Sequence, residues 1–194
     1  MRIIVLSDTH RRFREFYDIV EKHRHEASLF IHLGDGQREV DDMLELFPDL
    51  NLNSVRGNCD YGSILPEVKI VTAEGQKILC THGHSLFVKS TLEPLKKLAL
   101  QNGCCIALYG HSHKSDTHYE DGIYFMNPGS PSQPRGCNPS YGIIDVYKRQ
   151  PLRYTVWRCL QLPLKEYLYT WTNSAPLHFC FLQEQDNRRI RAKQ

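Results

Sequence analysis

Cys105-Ile106-Ala107-Leu108-Tyr109-Gly110-His111-Ser112-His113 joins a short apolar run to two histidines that are one residue apart. The apolar run predicts a buried strand, and Gly110 begins the turn that follows it. Residues i and i+2 of an extended chain are about 6 to 7 Å apart, a spacing that suits two neighbouring metal ions better than the chelation of one. The stretch therefore predicts a strand that ends at a site for two metals.

Polar residues follow an apolar run at four other places in the chain. The aliphatic run from Arg2 to Ser7 predicts a central parallel strand, and Leu29 to Leu33 and Asn53 to Arg56 predict two more. Open α/β sheets place their sites at the carboxyl ends of such strands, so we expect these polar residues to meet. The four stretches are Ser7-Asp8-Thr9-His10, Gly34-Asp35, Gly57-Asn58-Cys59-Asp60 and Thr81-His82-Gly83-His84.

Three segments have the pattern of helices. Phe13 to His23 carries apolar residues at helical spacing, and Val40 to Phe47 forms a second such segment that Pro48 ends. Ser90-Thr91-Leu92-Glu93 has the spacing of a capping box, which predicts a third helix from there to about Gln101.

The second half of the chain contains the pattern of antiparallel strands. A Glu74-Gly75 turn joins Glu67–Ala73 to Gln76–Thr81, and Asp121-Gly122 joins two further strands, Thr117–Glu120 and Ile123–Asn127. Tyr141 to Val146 predicts one more strand. The fold class is therefore α/β, with two mixed β-sheets and helices outside them.

The composition predicts one cytoplasmic domain. The chain has 194 residues, of which 41% are hydrophobic, and this is enough for one full core. It contains no apolar run of about 18 residues, and its apolar start reaches Ser7 and Asp8 too early for a signal peptide, so we expect no membrane segment. The seven cysteines lack paired spacing, which favours reduced thiols over a disulfide framework.

The last part of the chain differs from the rest in charge and composition. Residues 151–194 hold 7 of the 24 Lys and Arg and 3 of the 22 Asp and Glu, together with both tryptophans. The preceding 150 residues are slightly acidic, so they do not form a basic nucleic-acid binder. Asp145-Val146-Tyr147-Lys148-Arg149-Gln150 is also the translation of a transposon adapter end used in DNA library preparation. We expect a domain over 1–146 and a chimeric or out-of-frame tail over 147–194; the alternative is a divergent natural extension.

The polar motifs, in their order along the chain, resemble those of the calcineurin-like metallophosphoesterase superfamily. The motifs are Asp8-Thr9-His10, Gly34-Asp35, Gly57-Asn58-Cys59-Asp60, His82-Gly83-His84 and Gly110-His111-Ser112-His113. The short length and Asn127-Pro128-Gly129-Ser130 are most similar to the small YfcE-type phosphodiesterase branch. The resemblance implies a four-layer α/β/β/α sandwich and a metal-dependent phosphodiesterase, in which a hydroxide bridging two metals attacks phosphorus.

The resemblance also implies a ligand set and a cofactor. Mixed imidazole and oxygen ligands suit Mn, Fe, Co, Ni or Zn, and the branch implies Mn most often. Asp35 would bridge the two divalent ions. One ion would be held by Asp8, His10, Asp35 and His113, and the other by Asp35, Asn58, His82 and His111.

Cys59 departs from the superfamily pattern, which has histidine at that position. A thiol is a poorer proton donor than an imidazolium, so we expect catalysis by Asp35, Asn58 and Cys59 to favour substrates with good leaving groups. His84 and Arg135 are candidates for substrate binding, and Asp60 is a candidate for orienting the second ring nitrogen of a ligand histidine. A structural or solvated role is the alternative for each.

Two other functions remain open from the sequence. One is a non-catalytic interaction scaffold, as in the retromer subunit that has this fold and a degraded metal site. The other is a nuclease. The slight negative charge of residues 1–150 disfavours the binding of a nucleic-acid strand, so a small phosphodiester is the expected substrate. The identity of that substrate, the metal used and the oligomeric state, homo-oligomer included, are not determined by the sequence.

Overall fold

The computed structural model describes residues 1–146, 156–161 and 165–169. Three α-helices are present in these residues: α1 (Phe13–His23), α2 (Gln37–Leu46) and α3 (Glu93–Gln101), with a 3₁₀ turn at His84–Leu86. The strands are β1 (Arg2–Leu6), β2 (Leu29–His32), β3 (Leu52–Ser54), β4 (Val68–Ala73), β5 (Gln76–Thr81), β6 (Ile106–Leu108), β7 (Ser115–Glu120), β8 (Ile123–Pro128), β9 (Ser140–Asp145), β10 (Val156–Gln161) and β11 (Lys165–Tyr169).

The first sheet has the order β11-β10-β9-β1-β2-β3. Strands β1, β2 and β3 are parallel, and the helices α1 and α2 connect them as the sequence pattern predicts. The other edge of β1 pairs with β9 in antiparallel register, with Ile3 opposite Ile144. The sheet is therefore mixed, as predicted: β1 is central and parallel to β2, and the chain returns after β8 to add β9 on its other edge.

The second sheet has the order β4-β5-β6-β8-β7. Both predicted hairpins are present in it, β4 with β5 and β7 with β8. Their turns place Glu74 at φ 50° and Asp121 at φ 49°, each followed by a glycine that also has positive φ. Two successive residues with positive φ match the twist of the flanking strands. This explains why a two-residue turn that ends in glycine predicts a hairpin.

Three apolar clusters lie between four layers of helices and sheets. The central cluster, which includes Ile3, Ile31, Ile78 and Met126, lies between the two sheets. A second cluster packs α1 and α2 on the outer face of the first sheet, and a third packs α3 on the outer face of the second sheet. The layers are therefore α/β/β/α, as predicted.

The start of α3 differs from the prediction. The helix begins at Glu93 after Leu92, and the hydroxyl of Thr91 accepts the Glu93 N–H at 3.2 Å. A capping box that begins at Ser90 is therefore wrong: the N-cap residue is Leu92, which forms no side-chain cap hydrogen bond, and the hydroxyl next to Ser90 binds the first helical N–H from outside the cap.

The predicted tail falls mainly outside the described residues, which omit 147–155, 162–164 and 170–194. Within it, the backbone of β10 pairs with β9 and that of β11 pairs with β10. The chimeric or out-of-frame origin of 147–194 stays a prediction, which sequencing reads across the codons for residues 140–155 would test. In the described residues, no helix is long and apolar enough to cross a membrane.

Candidate metal centre

The candidate ligands come from both sheets and lie at the carboxyl ends of four strands. Asp8 follows β1, Asp35 follows β2, His82 follows β5 and His111 follows β6. Backbone hydrogen bonds hold these ends together, because the N–H of Asp8 donates to Gly34 O at 3.0 Å. The N–H of His111 donates to the Asp8 carboxylate, also at 3.0 Å, and this bond joins the two sheets.

Asp8, His10 and His113 form the first cluster of metal-ligating atoms. The Nε2 of His113 lies 3.2 Å from Asp8 Oδ1 and 3.1 Å from the Nε2 of His10, and the two rings are stacked. The Nδ1 of His113 lies 2.6 Å from the carbonyl oxygen of Gln133. Donation of the Nδ1 proton to that carbonyl leaves the Nε2 lone pair directed at the cluster, which is how protein histidines are prepared for a metal.

Asp35, His82 and Asn58 form a second group beside the first. The Nε2 of His82 lies 3.3 Å from Asp35 Oδ2 and 3.1 Å from Asn58 Oδ1. Its Nδ1 donates to the carbonyl of Leu33 at 2.8 Å, so the neutral ring carries its lone pair on the Nε2, on the side of Asp35 and Asn58. The Oδ2 of Asp35 also lies 3.8 Å from the Nε2 of His10. Asp35 is thus within reach of both groups.

The donor set fits divalent cations. Asp8 is fully buried, and its Oδ1 has no hydrogen bond of acceptable geometry, although imidazole nitrogens surround it. The Nε2 atoms of His10 and His113 also face each other, at 3.1 Å. A buried unsatisfied carboxylate oxygen and converging lone pairs are costly unless a cation binds them. Oxygen and imidazole donors suit first-row transition metals.

The carboxylates of the site are held in their ionised form. Burial raises the pKa of Asp35, but the imidazole of His82 and the N–H of Cys59 lower it further, to about 2. Burial acts against ionisation of Asp8 too, and His10 and His113 bring its pKa well below the usual value. Burial lowers the pKa of His111 to about 4, which keeps that ring neutral. Ionised carboxylates and a neutral imidazole are the forms that bind metals.

The loops that carry the candidate ligands adopt unusual backbone conformations. Five of the nine non-glycine residues with positive φ in the described residues are candidate ligands: Asp8, His10, Asp35, His111 and His113. Such conformations cost free energy and persist where surrounding contacts impose them. Gly57 meets a related need, since a Cβ there would collide with the Asp35 carboxylate. The site is therefore held in shape by tertiary contacts.

Comparison with known proteins identifies the family. A family model for the calcineurin-like phosphoesterase superfamily domain matches residues 1–149. The chain belongs to this superfamily. Over 148 residues it is 34% identical to the probable metallophosphoesterase YsnB of Bacillus subtilis, an alignment that covers 75% of this chain and 85% of YsnB. Over 101 residues it is 38% identical to the phosphodiesterase YfcE of Escherichia coli, covering 47% of this chain and 51% of YfcE.

Solved structures show the same superfamily fold. A predicted phosphoesterase of Streptococcus pneumoniae superposes with a TM-score of 0.76 at 26% identity, covering 88% of this chain and 97% of that protein. A Vps29 variant from Entamoeba histolytica superposes with a TM-score of 0.73 at 21% identity, covering 89% of this chain and 100% of that protein, and this likeness concerns the fold alone.

The remaining candidates lie around the two ligand clusters. The ring of His111 is 5.0 Å from that of His82, and the ring of His84 is 6.2 Å from that of His111. His84 also has a buried Nδ1 without a hydrogen bond. Cys59 is an exposed residue beside Asp35. Partial desolvation of its sulfur raises the pKa of the thiol to about 11, and the negative charge of the Asp35 carboxylate adds to this rise. Arg135 is exposed, and its backbone N–H donates to the carbonyl of His113.

Asp60 supports the site through the backbone of its loops. Its two carboxylate oxygens accept four N–H groups at 2.7 to 3.0 Å, and these come from Asp35, Gly36, Gln37 and Gly57. The expectation that Asp60 orients a ligand's imidazole is therefore wrong. Asp60 instead closes the amino end of α2, which explains why that helix begins three residues before the predicted Val40.

Three residues that the sequence did not single out position the loop of Asp8 and His10. The hydroxyl of Thr9 donates to Glu39 at 3.0 Å and accepts from the Nε2 of His32 at 3.1 Å. The Nδ1 of His32 in turn accepts the Gly34 N–H at 3.2 Å. A buried polar chain of this kind depends on contacts between distant segments, so periodicity along the chain could not reveal it.

Proposed function

We propose that the protein is a metal-dependent phosphodiesterase with a dinuclear centre. The observation that carries the proposal is the convergence of imidazole nitrogens on the buried, unsatisfied Oδ1 of Asp8, next to a second carboxylate, Asp35. The phosphodiesterase YfcE, with 38% identity over 101 residues, supports the substrate class.

The ligand assignment follows the two groups of side chains. Asp8, His10, Asp35 and His113 would hold one ion, and Asp35, Asn58, His82 and His111 the other, with manganese as the expected metal. When bound, two such ions lower the pKa of a water and neutralise charge on a phosphoryl group. No membrane partner is part of the proposal, and the expected compartment is the cytoplasm.

The protein's own residues orient and select the substrate. Asp35 is fixed by the Cys59 N–H, which donates to its Oδ1 at 2.7 Å, so its Oδ2 keeps one direction. The exposed amide of Asn58 and thiol of Cys59 border the open side of the site. His84 and Arg135 are proposed to contact the phosphate. Because a thiol donates a proton poorly, we propose that the enzyme prefers esters with good leaving groups, such as aryl phosphodiesters.

Hydrolysis of bis(p-nitrophenyl) phosphate tests the proposal. The purified protein is assayed with added Mn²⁺ and with a chelator, and Asp35→Asn serves as the matched variant because it keeps the shape of the side chain. We expect turnover that requires the metal and falls by about a thousandfold in the variant, since removal of one electrostatic contact to the reacting group costs up to that much. Equal turnover with the chelator, or in Asp35→Asn, would contradict the proposal.

A scaffold function is the second candidate, supported by the fold shared with Vps29. It predicts partner binding that is the same with and without metal. A folded, metal-loaded protein that hydrolyses no phosphodiester would favour it.

Cys59→His separates the leaving-group proposal from the rest. An imidazolium at this position should raise turnover of alkyl phosphodiesters relative to aryl phosphodiesters. No relative gain on the alkyl esters would contradict the role given to Cys59.

A further inference from the structure

A cleft of about 490 Å³ opens beside the metal centre, over the first turn of α2. His10, Asp35 and Cys59 form part of its wall, so the cleft is continuous with the candidate metal site. Its volume lies in the range of small-molecule sites, about 300 to 1,000 Å³. A phosphodiester with its phosphorus at the metal centre would therefore extend one ester arm into this cleft.

Two arginines in the lining, Arg11 and Arg38, form no ion pair with any residue that the structure describes. Both residues are exposed. By contrast, Arg2, Arg24 and Arg56 each bind a carboxylate. The guanidinium donors of the cleft are thus available to a ligand.

The charges of the cleft oppose a polyanionic ligand. Its lining contains the carboxylates of Glu39, Asp41 and Asp60 against the two guanidinium groups. Asp60 also occupies the amino end of α2, where it accepts the N–H groups of Gly36 and Gln37. That helix end therefore cannot offer these donors to a second phosphate. The cleft suits an arm that is polar and uncharged.

Tyr61 adds an aromatic face to the same cleft. Its side chain is 92% exposed, so it is free to stack on a planar ring. Ring-on-ring contacts of this kind contribute to affinity beyond the area they bury. An uncharged arm with a flat ring and several hydrogen-bonding groups matches the lining.

We infer that the substrate is a phosphodiester with a nucleoside as one ester arm, and that this arm lies in the cleft against Tyr61. The inference rests on the proposed phosphodiesterase function and names its substrate class. The base stacks on Tyr61, its carbonyl oxygens and ring nitrogens accept hydrogen bonds from Arg11 or Arg38, and a sugar hydroxyl donates to Asp41.

The kinetic test compares two diesters that release the same p-nitrophenolate. One is the p-nitrophenyl ester of thymidine 5′-monophosphate, and the other is methyl p-nitrophenyl phosphate. In Tyr61→Ala, kcat/KM for the nucleoside diester should fall about tenfold, the size expected for loss of one base stack. The methyl diester should be unaffected, and Tyr61→Phe should behave as the wild type. An equal fall for both diesters, or no fall for either, would overturn the inference.

A binding measurement separates this inference from the proposed function. Saturation-transfer NMR with thymidine, the uncharged arm alone, on the metal-free protein should saturate the base protons in the wild type and not in Tyr61→Ala. Saturation without hydrolysis of either diester would keep the nucleoside site and reject the phosphodiesterase. Metal-dependent hydrolysis of methyl p-nitrophenyl phosphate without any saturation would support the phosphodiesterase and overturn the nucleoside site.

Discussion

The two ends of strand β1 carry polar groups of opposite character. At its amino end, the guanidinium of Arg2 donates to the Asp145 carboxylate at 2.8 and 3.0 Å and to Glu26 at 2.7 Å. At its carboxyl end, Asp8 is buried, and its Oδ1 lacks a hydrogen bond. At the amino end, the hydrogen-bond donors of Arg2 are matched by carboxylate acceptors. At the carboxyl end, the Asp8 oxygen is an acceptor without a donor.

This difference separates stability from function along a single strand. The paired charges at the amino end join β1 to β9 and to the segment after α1, so they stabilise the fold itself. The carboxyl end carries strained backbone and an unsatisfied oxygen, which lower stability until a cation binds. Substitutions at the amino end should therefore lower stability and leave metal binding intact. Substitutions at the carboxyl end should abolish metal binding.

Metal binding should give the largest effect on stability, and it should depend on the carboxyl end alone. With Mn²⁺ at a thousandfold excess over its Kd, the free energy of unfolding should rise by about 4 kcal/mol. Thermal melts with and without Mn²⁺ measure this shift. Asp8→Asn should abolish the shift, whereas Asp145→Asn should melt at a lower temperature and keep it. The same shift in Asp8→Asn would show that the cation binds elsewhere.

His32 should make stability depend on pH. Burial lowers its pKa from 6.5 to about 4 in the folded protein, and its Nδ1 already accepts the Gly34 N–H. The unfolded chain therefore takes up the proton first, and the free energy of unfolding falls as the pH drops from about 6.5 to about 4. The shift corresponds to about 3 kcal/mol. Denaturant titrations of the metal-free protein at both pH values measure it.

The matched variant for that prediction is His32→Gln, which has no ionisable ring. It should be less stable at neutral pH but should show a smaller loss between pH 6.5 and 4. An unchanged pH dependence would assign the effect to other groups.

Arg2→Ala tests the amino end. Removal of the guanidinium leaves the partly buried Asp145 carboxylate without its partner and should lower the free energy of unfolding by about 2 kcal/mol. Arg14→Ala, which breaks an exposed pair with Asp18, should change it by less than about 0.5 kcal/mol. Chemical denaturation compares the two variants. Loss of metal binding in Arg2→Ala would contradict the separation of the two ends.

Glu39→Ala should have the smallest of these effects. The Oε1 of Glu39 accepts hydrogen bonds from the Thr9 hydroxyl and the Arg11 N–H. The substitution removes this acceptor, so the loop of Asp8 and His10 should become less ordered. Affinity for Mn²⁺ should fall about tenfold, as for other residues that orient metal ligands. Calorimetric titration with Mn²⁺ measures the affinity. Glu39→Gln keeps an oxygen at this place and should bind as the wild type; equal losses in both variants would point to the charge instead.

Much of the fold follows from patterns that are local in the chain. Residues 13–23 form a helix with the predicted bounds, and both two-residue turns form their hairpins. The layered architecture also matches the prediction, because apolar runs, turn residues and helical periodicity each act over a few neighbours. The missed features, such as the hydrogen bond from the Glu93 N–H to Thr91 and the contacts of Asp60 with the amino end of α2, depend on which of several polar side chains reaches a free N–H.

The sequence by itself determined which residues are able to bind a metal, because their types and their places after apolar runs are written in the chain. Only the tertiary structure decided how they meet. Asp8 and His113 are far apart in the chain, yet their ligand atoms lie 3.2 Å apart. Likewise, the cleft joins Tyr61 to Arg11 through loops of different strands. Such contacts arise from the packing of two sheets against each other, and packing depends on the whole core rather than on any one segment.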